Sequence, residues 1–237
     1  MSPHRFSNPV FVALDTPDID RALAIAKAVR PHVGGLKIGL EFITATGPDG
    51  IRRIVEMDLP VFADVKFHDI PNTVAAASRE LAKLGAKIFN IHASGGERMM
   101  RDAAEAARAV DPQVKVIGVT ALTSLNDAVL ESVGQRGPAE EQVLRLARLA
   151  KRSTLDGVVC SAHEIVPLRK ALGPDFLLVT PGIRPAGADL ADQKRVMTPA
   201  EAHRFGADIL VIGRPITGAA DPAAAAKAIA DELKQSA

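Results

Sequence analysis

Eight short apolar runs recur along the whole chain, and they constrain its fold more than any other feature of the sequence. Each run is rich in Val and Ile and is apolar on successive residues, which is the pattern of strands buried on both faces of a parallel sheet. The runs are residues 9–14, 35–39, 60–67, 86–92, 114–120, 156–161, 176–180 and 208–213. We therefore predict eight buried, parallel strands.

Stretches with apolar residues at helical spacing separate these runs, as over residues 19–29, 74–84, 143–150 and 225–233. Several helix starts are marked by a capping residue followed by proline, whose fixed φ suits the first helical position. The predicted starts are Thr16-Pro17, Thr198-Pro199 and Asp221-Pro222, the second with Glu201 completing a capping box. Strands and helices therefore alternate along the chain.

Eight β/α repeats within 237 residues predict a (β/α)8 barrel, the TIM-barrel fold, with few insertions. The alternative is an open, doubly wound sheet. The first run is not followed by GxGxxG and the chain contains no P-loop, so the barrel is the better interpretation. No linker rich in Pro, Gly and Ser divides the sequence, which predicts one domain over residues 1–237.

The composition excludes several classes of function. The 29 basic and 28 acidic side chains nearly cancel and the chain has neither Trp nor Tyr, so we expect no nucleic-acid partner and no attraction to anionic membranes. Cys160 is the single cysteine, which rules out an internal disulfide and suits a reducing compartment. The amino terminus lacks a signal-peptide h-region, and no apolar run approaches the roughly 18 residues of a membrane span. These features predict a cytoplasmic protein.

Charged side chains lie within or just after the first three apolar runs, where burial would be costly without partners. Asp64 and Lys66 are two residues apart, so on a strand both project to the same face. Lys37 on the neighbouring run can approach them, and Asp15 and Asp69 lie just beyond the ends of runs. An isolated Asp–Lys pair would be a structural ion pair in the barrel. Two lysines with up to two aspartates instead indicate an active site at the carboxyl ends of the strands.

Two glycine-containing turns, each with an arginine, follow the last two runs. They are TPGIRP at 180–185, with Arg184, and GRPI at 213–216, with Arg214. In such barrels the loops after strands seven and eight often bind phosphate through backbone N–H groups, and arginine adds a charge-assisted contact. Either turn alone would be explained by ordinary turn glycines and solvated arginines, but both together predict a phosphate site.

The histidines and the cysteine carry less information about function. The six histidines show no metal-ligand spacing, so no metal site is predicted. His92, at the end of the fourth run, either lines the site or is a hydrogen-bonded structural residue. Cys160 is expected to be a small core residue and not a nucleophile.

Residues 64–74, DVKFHDIPNTV, resemble the motif of the orotidine 5'-phosphate decarboxylase family. The other matching segments are VALD (12–15), LKIG (36–39), NIHASGG (90–96), VTALTS (119–124), VTPGIRP (179–185), DQKRVMTP (192–199) and VIGRPIT (211–217). A DxKxxD motif alone would be weak, because related phosphosugar barrels share it. The extended motif together with both arginine-bearing turns, in order along the whole chain, makes the resemblance specific.

The resemblance implies a barrel homodimer that converts orotidine 5'-monophosphate (OMP) to UMP and CO2 without a metal or an organic cofactor. That reaction is the last step of de novo pyrimidine nucleotide synthesis. The implied catalytic residues are Lys37, Asp64, Lys66 and Asp69. Lys66 would donate the proton to C6 of the pyrimidine, whereas Asp69, with Ile70 and Thr73, would reach the site of the partner subunit.

The resemblance also implies the residues that bind the substrate. Asp15 and Lys37 match positions near the ribose hydroxyls, and Thr123 and Ser124 match positions near the pyrimidine. The phosphate side is matched by Arg184, Gln193, Gly213 and Arg214. Residues 185–194 contain Gly187 and few apolar residues, so from their composition we expect either a lid over the bound substrate or an ordinary mobile surface loop.

Three other functions remain open on the sequence alone. The nearest is a metal-dependent phosphosugar decarboxylase or synthase of the same superfamily, although it would hold its cation with acidic residues and here lysines alternate with the carboxylates. A Schiff-base aldolase would use Lys66 or Lys37 as its nucleophile. A non-enzymatic sensor of phosphoribosyl ligands would keep the fold and the phosphate site.

Overall fold

The computed structural model describes residues 6, 8–135, 137–185 and 197–235. Its strands are β1 (Val10–Ala13), β2 (Gly35–Ile38), β3 (Val61–Phe67), β4 (Ile88–His92), β5 (Lys115–Val119), β6 (Gly157–Val159), β7 (Leu177–Pro181) and β8 (Ile209–Ile212). All of them are parallel, each pairs with the next along the chain, and β8 pairs with β1 to close the barrel. The predicted (β/α)8 fold and its eight strands are confirmed.

Helices follow the strands and cover the outside of the barrel. In the described part of the chain they are α1 (Ile19–Val29), α2 (Leu40–Val55), α3 (Pro71–Lys83), α4 (Glu97–Arg108), α5 (Asp127–Ser132), α6 (Ala139–Arg152), α7 (Ile165–Leu172), α8 (Pro199–Phe205), α9 (Arg214–Thr217) and α10 (Pro222–Gln235). Each long helix buries an apolar face, as α10 does with Ile229 and Leu233. Such packing accounts for most of the stability of helices of this length.

Two of the three predicted helix starts are confirmed. The Thr198 hydroxyl accepts the backbone N–H of Glu201 at 3.3 Å, and the Glu201 carboxylate accepts the N–H of Thr198 at 3.1 Å, which is the reciprocal pair of a capping box. At the start of α10, the Asp221 carboxylate accepts the N–H of Ala224 at 3.0 Å. Proline follows the capping residue in both places and occupies the first helical position.

The third predicted start, at Thr16-Pro17, is wrong. Helix α1 begins at Ile19, and its N-cap is Asp18, whose carboxylate accepts the N–H groups of Asp20 and Arg21. The Thr16 hydroxyl instead accepts the N–H of Asp18 at 3.3 Å and shapes the turn before the helix. The Asp18 side chain satisfies two N–H groups of the first turn, which explains why the helix begins after it.

The interior of the barrel is filled by a separate apolar layer. Its buried members are Phe11, Ala13, Phe62, Ile88, Ile117, Val179, Ile209 and Val211. Gly35 on β2 is required by this packing, since a Cβ there would lie 2.2 Å from the Phe11 ring. A larger apolar layer lies between the sheet and the helices. It includes Cys160, whose thiol pKa burial raises to about 12, so the prediction of a core cysteine is confirmed.

An ion pair at the amino-terminal end of the barrel joins three loops. The Arg169 guanidinium on α7 is 2.5 Å from the Asp208 carboxylate and also donates to the carbonyls of Phe176 and Gly206. Asp208 is 4% exposed, and its carboxylate accepts the N–H of Leu178 on β7 at 2.8 Å. These contacts fix the segments that lead into β7 and β8, whose carboxyl ends carry the arginine-bearing turns.

Candidate active site

A cavity of about 350 Å³ opens at the carboxyl ends of the strands. The predicted site residues that line it are Asp15, Lys37, Asp64, Lys66, Thr123, Arg184, Gly213 and Arg214. Apolar side chains of the inner layer, such as Phe62 and Val179, also line it. The fold thus brings residues that are far apart in the sequence into one concave site, where barrel enzymes place their chemistry.

Charged groups of alternating sign cross this cavity. The Lys66 Nζ lies 2.5 Å from Asp64 Oδ1, and the Lys37 Nζ lies 3.6 Å from Asp64 Oδ2. The Lys37 Nζ is also 2.8 Å from Asp15 Oδ1. The order is therefore Asp15, Lys37, Asp64, Lys66, which we call the charged array. Lys37 is 7% exposed, so its ammonium depends on these carboxylates for compensation.

Strand β3 reaches this arrangement through an irregular backbone. Asp64 and Lys66 both face the cavity, as their spacing predicts, but the pairing of β3 with β4 changes register between Ala63 and Phe67. Within this bulge Lys66 has a φ of +51°, in the left-handed region that L-residues rarely adopt. Strain of this kind is concentrated at functional sites.

Asn90 is a site residue that sequence reasoning missed. It lies on β4, is 1% exposed, donates from Nδ2 to Asp64 Oδ1 at 2.6 Å and accepts the backbone N–H of Lys66 on Oδ1 at 2.7 Å. Its signal in the sequence is a single amide within the apolar run 86–92, and a buried amide needs hydrogen-bond partners. The sequence does not identify those partners.

The surroundings of Asp64 keep it ionised. Burial by itself raises the pKa of this carboxyl, but the charges of Lys37 and Lys66, with hydrogen bonds from Lys66 and Asn90, outweigh that effect. The net result is a pKa below the usual value for aspartate. Asp64 is therefore a carboxylate at neutral pH, and it provides a fixed negative charge beside the Lys66 ammonium.

His92 lies next to the array without lining the cavity. Its ring packs against that of His68, with centroids 5.3 Å apart. Burial, followed by the nearby charges of His68 and Lys66, lowers the pKa of His92, so its imidazole is neutral at neutral pH. His92 is absent from the cavity lining, which disfavours the first sequence interpretation, and the second, a hydrogen-bonded structural residue, stays a prediction.

The two arginine-bearing turns meet at the cavity. Gly182 has a φ of +79°, which glycine adopts without strain, and Arg184 two residues later is 6% exposed. Gly213 caps the short helix α9, and Arg214 at its first position is exposed and lines the cavity. Two glycines and two arginines, from the two turns, therefore line one side of the cavity.

Some predicted site residues lie elsewhere. Asp69, Ile70 and Thr73 are exposed and do not line the cavity of their own chain, and Ile70 is 67% exposed. Ser124 is also exposed and outside the lining, whereas its neighbour Thr123 belongs to it. Gln193 and the expected lid after Pro185 fall outside the described residues.

The residues that the structure describes contain no group of three or more His, Cys, Asp or Glu side chains placed to hold a metal ion. No helix among them combines the length and the hydrophobicity needed to cross a lipid bilayer.

The fold and the cavity place this chain among the (β/α)8-barrel enzymes. A family model described as "Orotidine 5'-phosphate decarboxylase / HUMPS family" matches residues 8–229, and the chain belongs to that family. The predicted family and the predicted enzyme class, a carbon–carbon lyase, are confirmed.

Similar proteins agree with this assignment. The chain is 52% identical over 233 residues to the orotidine 5'-phosphate decarboxylase of Paramagnetospirillum magneticum, covering 95% of this chain and 98% of the relative. It is 52% identical over 231 residues to that of Moorella thermoacetica, covering 95% and 92%. The crystal structure of the Lactobacillus acidophilus orotidine 5'-phosphate decarboxylase matches with a TM-score of 0.86 and 41% identity, covering 96% of this chain and 99% of the other.

Proposed function

We propose that this protein decarboxylates OMP to UMP and CO2, the last step of de novo pyrimidine nucleotide synthesis, and that Lys66 donates the proton to C6. The observation that carries the proposal is the charged array, in which the Lys66 ammonium lies 2.5 Å from an ionised Asp64 in the cavity. The relatives that carry the decarboxylase name match nearly the full length of the chain.

The chemistry explains why such an array is suitable. When the bond between C6 and the carboxyl carbon breaks, CO2 leaves and the electron pair stays on C6, where the pyrimidine carbonyls cannot readily delocalise it. A fixed ammonium near C6 stabilises this charge electrostatically and then transfers a proton to it. The neutral Lys66 amine afterwards regains a proton from solvent, so the enzyme is restored.

We assign Asp64 and Lys37 to holding that ammonium in place. Because Asp64 is shared between two lysines, neither ammonium is free to turn away from the carboxylate without losing an ion pair. Such pre-organisation removes the reorganisation that water would otherwise undergo during the reaction. We further propose that this arrangement acts without a metal or an organic cofactor.

The remaining residues are assigned to binding the substrate. Arg184, Gly213 and Arg214, with Gln193, would hold the 5'-phosphate, because charged guanidinium groups and turn N–H groups suit a phosphate. Asp15 and Lys37 would contact the ribose hydroxyls, and Thr123 and Ser124 the pyrimidine. Binding energy from the phosphate, distant from C6, is then available to hold the base against the array.

We further propose a cytoplasmic homodimer in which Asp69, Ile70 and Thr73 complete the partner's site. All three side chains are exposed just after β3, the strand that carries Asp64 and Lys66. Ile70 fits this assignment, because covering its 67% exposed side chain with a partner surface would remove apolar area from water. Asp69 would then add a third carboxylate, after Asp15 and Asp64, to the array of the partner.

An absorbance assay on OMP in metal-free buffer tests the function. We expect turnover that is unchanged by EDTA, with UMP and CO2 as products, and no turnover by a Lys66→Ala preparation purified in parallel. Loss of activity in EDTA would favour the metal-dependent alternative, and a borohydride-trapped substrate adduct would favour a Schiff-base enzyme. Tight UMP binding without any turnover of OMP would indicate a sensor and contradict the proposal.

A further inference from the structure

We propose that Asn90 is a positioning residue, which holds the Lys66 backbone and the Asp64 carboxylate in the arrangement that decarboxylation requires. The chemical part of this inference rests on the proposed function. Its geometric part, the control of two array residues by one amide, is independent of the substrate.

The position of Asn90 on β4 directs its side chain into the barrel. Ile88, two residues earlier, belongs to the inner apolar layer, and residues two apart on a strand face the same way. The Asn90 amide meets the array there, with Oδ1 2.7 Å from the Lys66 N and Nδ2 2.6 Å from Asp64 Oδ1. One side chain therefore contacts the backbone of one array residue and the carboxylate of the other.

The contact with Lys66 replaces regular strand pairing. Ala63 pairs with Phe89, and Phe67 pairs with Ile91. Three residues of β3 lie between these two pairings, whereas β4 has only Asn90 there. Inside this bulge the Lys66 N–H is accepted by the Asn90 side chain. Because the left-handed conformation of Lys66 is unfavourable, it needs such a contact to persist, and this conformation sets the direction in which the ammonium points.

The contact with Asp64 fixes the rotation of its carboxylate. Asp64 Oδ1 accepts from both the Asn90 Nδ2 and the Lys66 Nζ, and Oδ2 is left facing Lys37 at 3.6 Å. The amide donor also favours the ionised form of Asp64, together with the two lysines. Without Asn90, the carboxylate would keep its charge partners but lose the neutral donor that orients it.

Two substitutions separate these roles. Asn90→Ala removes both hydrogen bonds, whereas Asn90→Asp keeps an acceptor for the Lys66 N–H and places a second carboxylate against Asp64. We expect kcat on OMP to fall about 100-fold in either variant, the effect of a displacement of about 1 Å in a catalytic group. The affinity for UMP should stay close to that of the wild type, because Asn90 does not line the cavity.

The pH profile gives a readout that a merely structural role would not move. The acidic limb of kcat/KM should shift to higher pH in Asn90→Ala, because Asp64 loses a donor that stabilises its charge. It should shift further in Asn90→Asp, because two adjacent carboxylates oppose each other's ionisation. Ser153→Ala is the matched control, since Ser153 is also a buried polar residue, donates its hydroxyl to the Leu149 carbonyl at 2.8 Å and does not line the cavity.

The control should retain the wild-type kcat and pH profile, and thermal unfolding should confirm that all variants are folded. Wild-type kcat and pH profile in both Asn90 variants would overturn the inference, as would equal losses of kcat and UMP affinity. If Asn90→Ala does not fold, Asn90→Asp decides between these outcomes.

If the wild type itself does not act on OMP, the proposed function fails, and a crystal structure of the folded Asn90 variant decides the inference. Displacement of the Lys66 ammonium from Asp64 would support it, and an unchanged array would contradict it.

Discussion

Lys66 combines a backbone conformation that lysine rarely adopts with a side chain that is costly to bury alone. Its φ of +51° costs about 1–3 kcal/mol. A backbone conformation of this kind persists only where surrounding contacts determine it. Those contacts are the Asn90 side chain at its N–H and the Asp64 carboxylate at its Nζ. At the scale of single residues, the geometry of the site therefore depends on a few short polar contacts.

Replacement of the ammonium tests its role as proton donor. We expect Lys66→Ala to lower kcat by at least about 10²–10⁴-fold, the contribution of a positioned general acid, while the protein stays folded and still binds UMP. Lys83→Ala is the control, because Lys83 is an exposed lysine on α3 that forms an ion pair with nearby Glu80 and lies outside the cavity lining. Parallel turnover and calorimetric UMP binding measure the difference. Substantial residual turnover by Lys66→Ala would show that another group delivers the proton.

Replacement of Arg214 tests the phosphate side of the cavity. We expect Arg214→Ala to weaken UMP binding by about 1.5–3 kcal/mol, the worth of hydrogen bonds to a charged group, and to leave uridine binding unchanged. Arg204→Ala on α8 provides an exposed arginine outside the cavity lining as a control. Calorimetry with both ligands makes the comparison, and equal losses for UMP and uridine would remove Arg214 from the phosphate site.

At the scale of elements, the strands depend on anchors at their amino-terminal ends. Asp156, just before β6, accepts the N–H of Val116 on β5. In the same way Asp208, just before β8, accepts the N–H of Leu178 on β7. Each of these aspartates is paired with an arginine from a helix, Arg108 for the first and Arg169 for the second. Helix, loop and strand are thereby tied together opposite the cavity, where barrels carry residues for stability.

Loss of the Arg169 guanidinium should be strongly destabilising. Asp208 would remain buried and lose this ion pair, so we expect Arg169→Ala to lower the free energy of unfolding by about 3–5 kcal/mol. Arg52→Ala, which removes an exposed pair with Asp49, should cost about 0–1 kcal/mol. Urea denaturation of both variants measures these values. A result for Arg169→Ala within about 1 kcal/mol of the control would contradict this account of the anchor.

At the scale of the whole molecule, stability and chemistry occupy different ends of the barrel. The inner apolar layer fills the interior, the aspartate anchors lie at the amino-terminal end, and the charged array lies at the open carboxyl end. The chain leaves Asp69 and Ile70 exposed beside that open end. A second copy of the chain is the partner that the proposed function assigns to them.

Mixing two inactive variants tests whether the site is shared. When Asp69→Ala and Lys66→Ala protomers exchange at random, half of the dimers are hybrids, and one of the two sites in each hybrid contains both wild-type residues. We therefore expect recovery of about one quarter of the wild-type activity. Each variant incubated alone serves as the control. If mass measurements show that the subunits have exchanged and activity still does not recover, the shared site is contradicted.

Much of the fold could be predicted because its signals are local. The apolar runs located all eight strands, and the capping residues at Thr198 and Asp221 located the starts of α8 and α10. The start of α1 was misplaced because Thr16 and Asp18 are both capable caps, and sequence alone did not separate them. The shared direction of Asp64 and Lys66 also followed from spacing alone.

The sequence by itself determined the barrel, the pairing of lysines with aspartates and the arginines near the last two strands, because periodicity and chain order are enough to place them. Only the tertiary structure decided that Lys66 is left-handed and that Asn90 holds it. The physical reason is separation along the chain: Asn90 is 24 residues from Lys66, and their contact exists only because β4 pairs with a bulged β3 in one particular register.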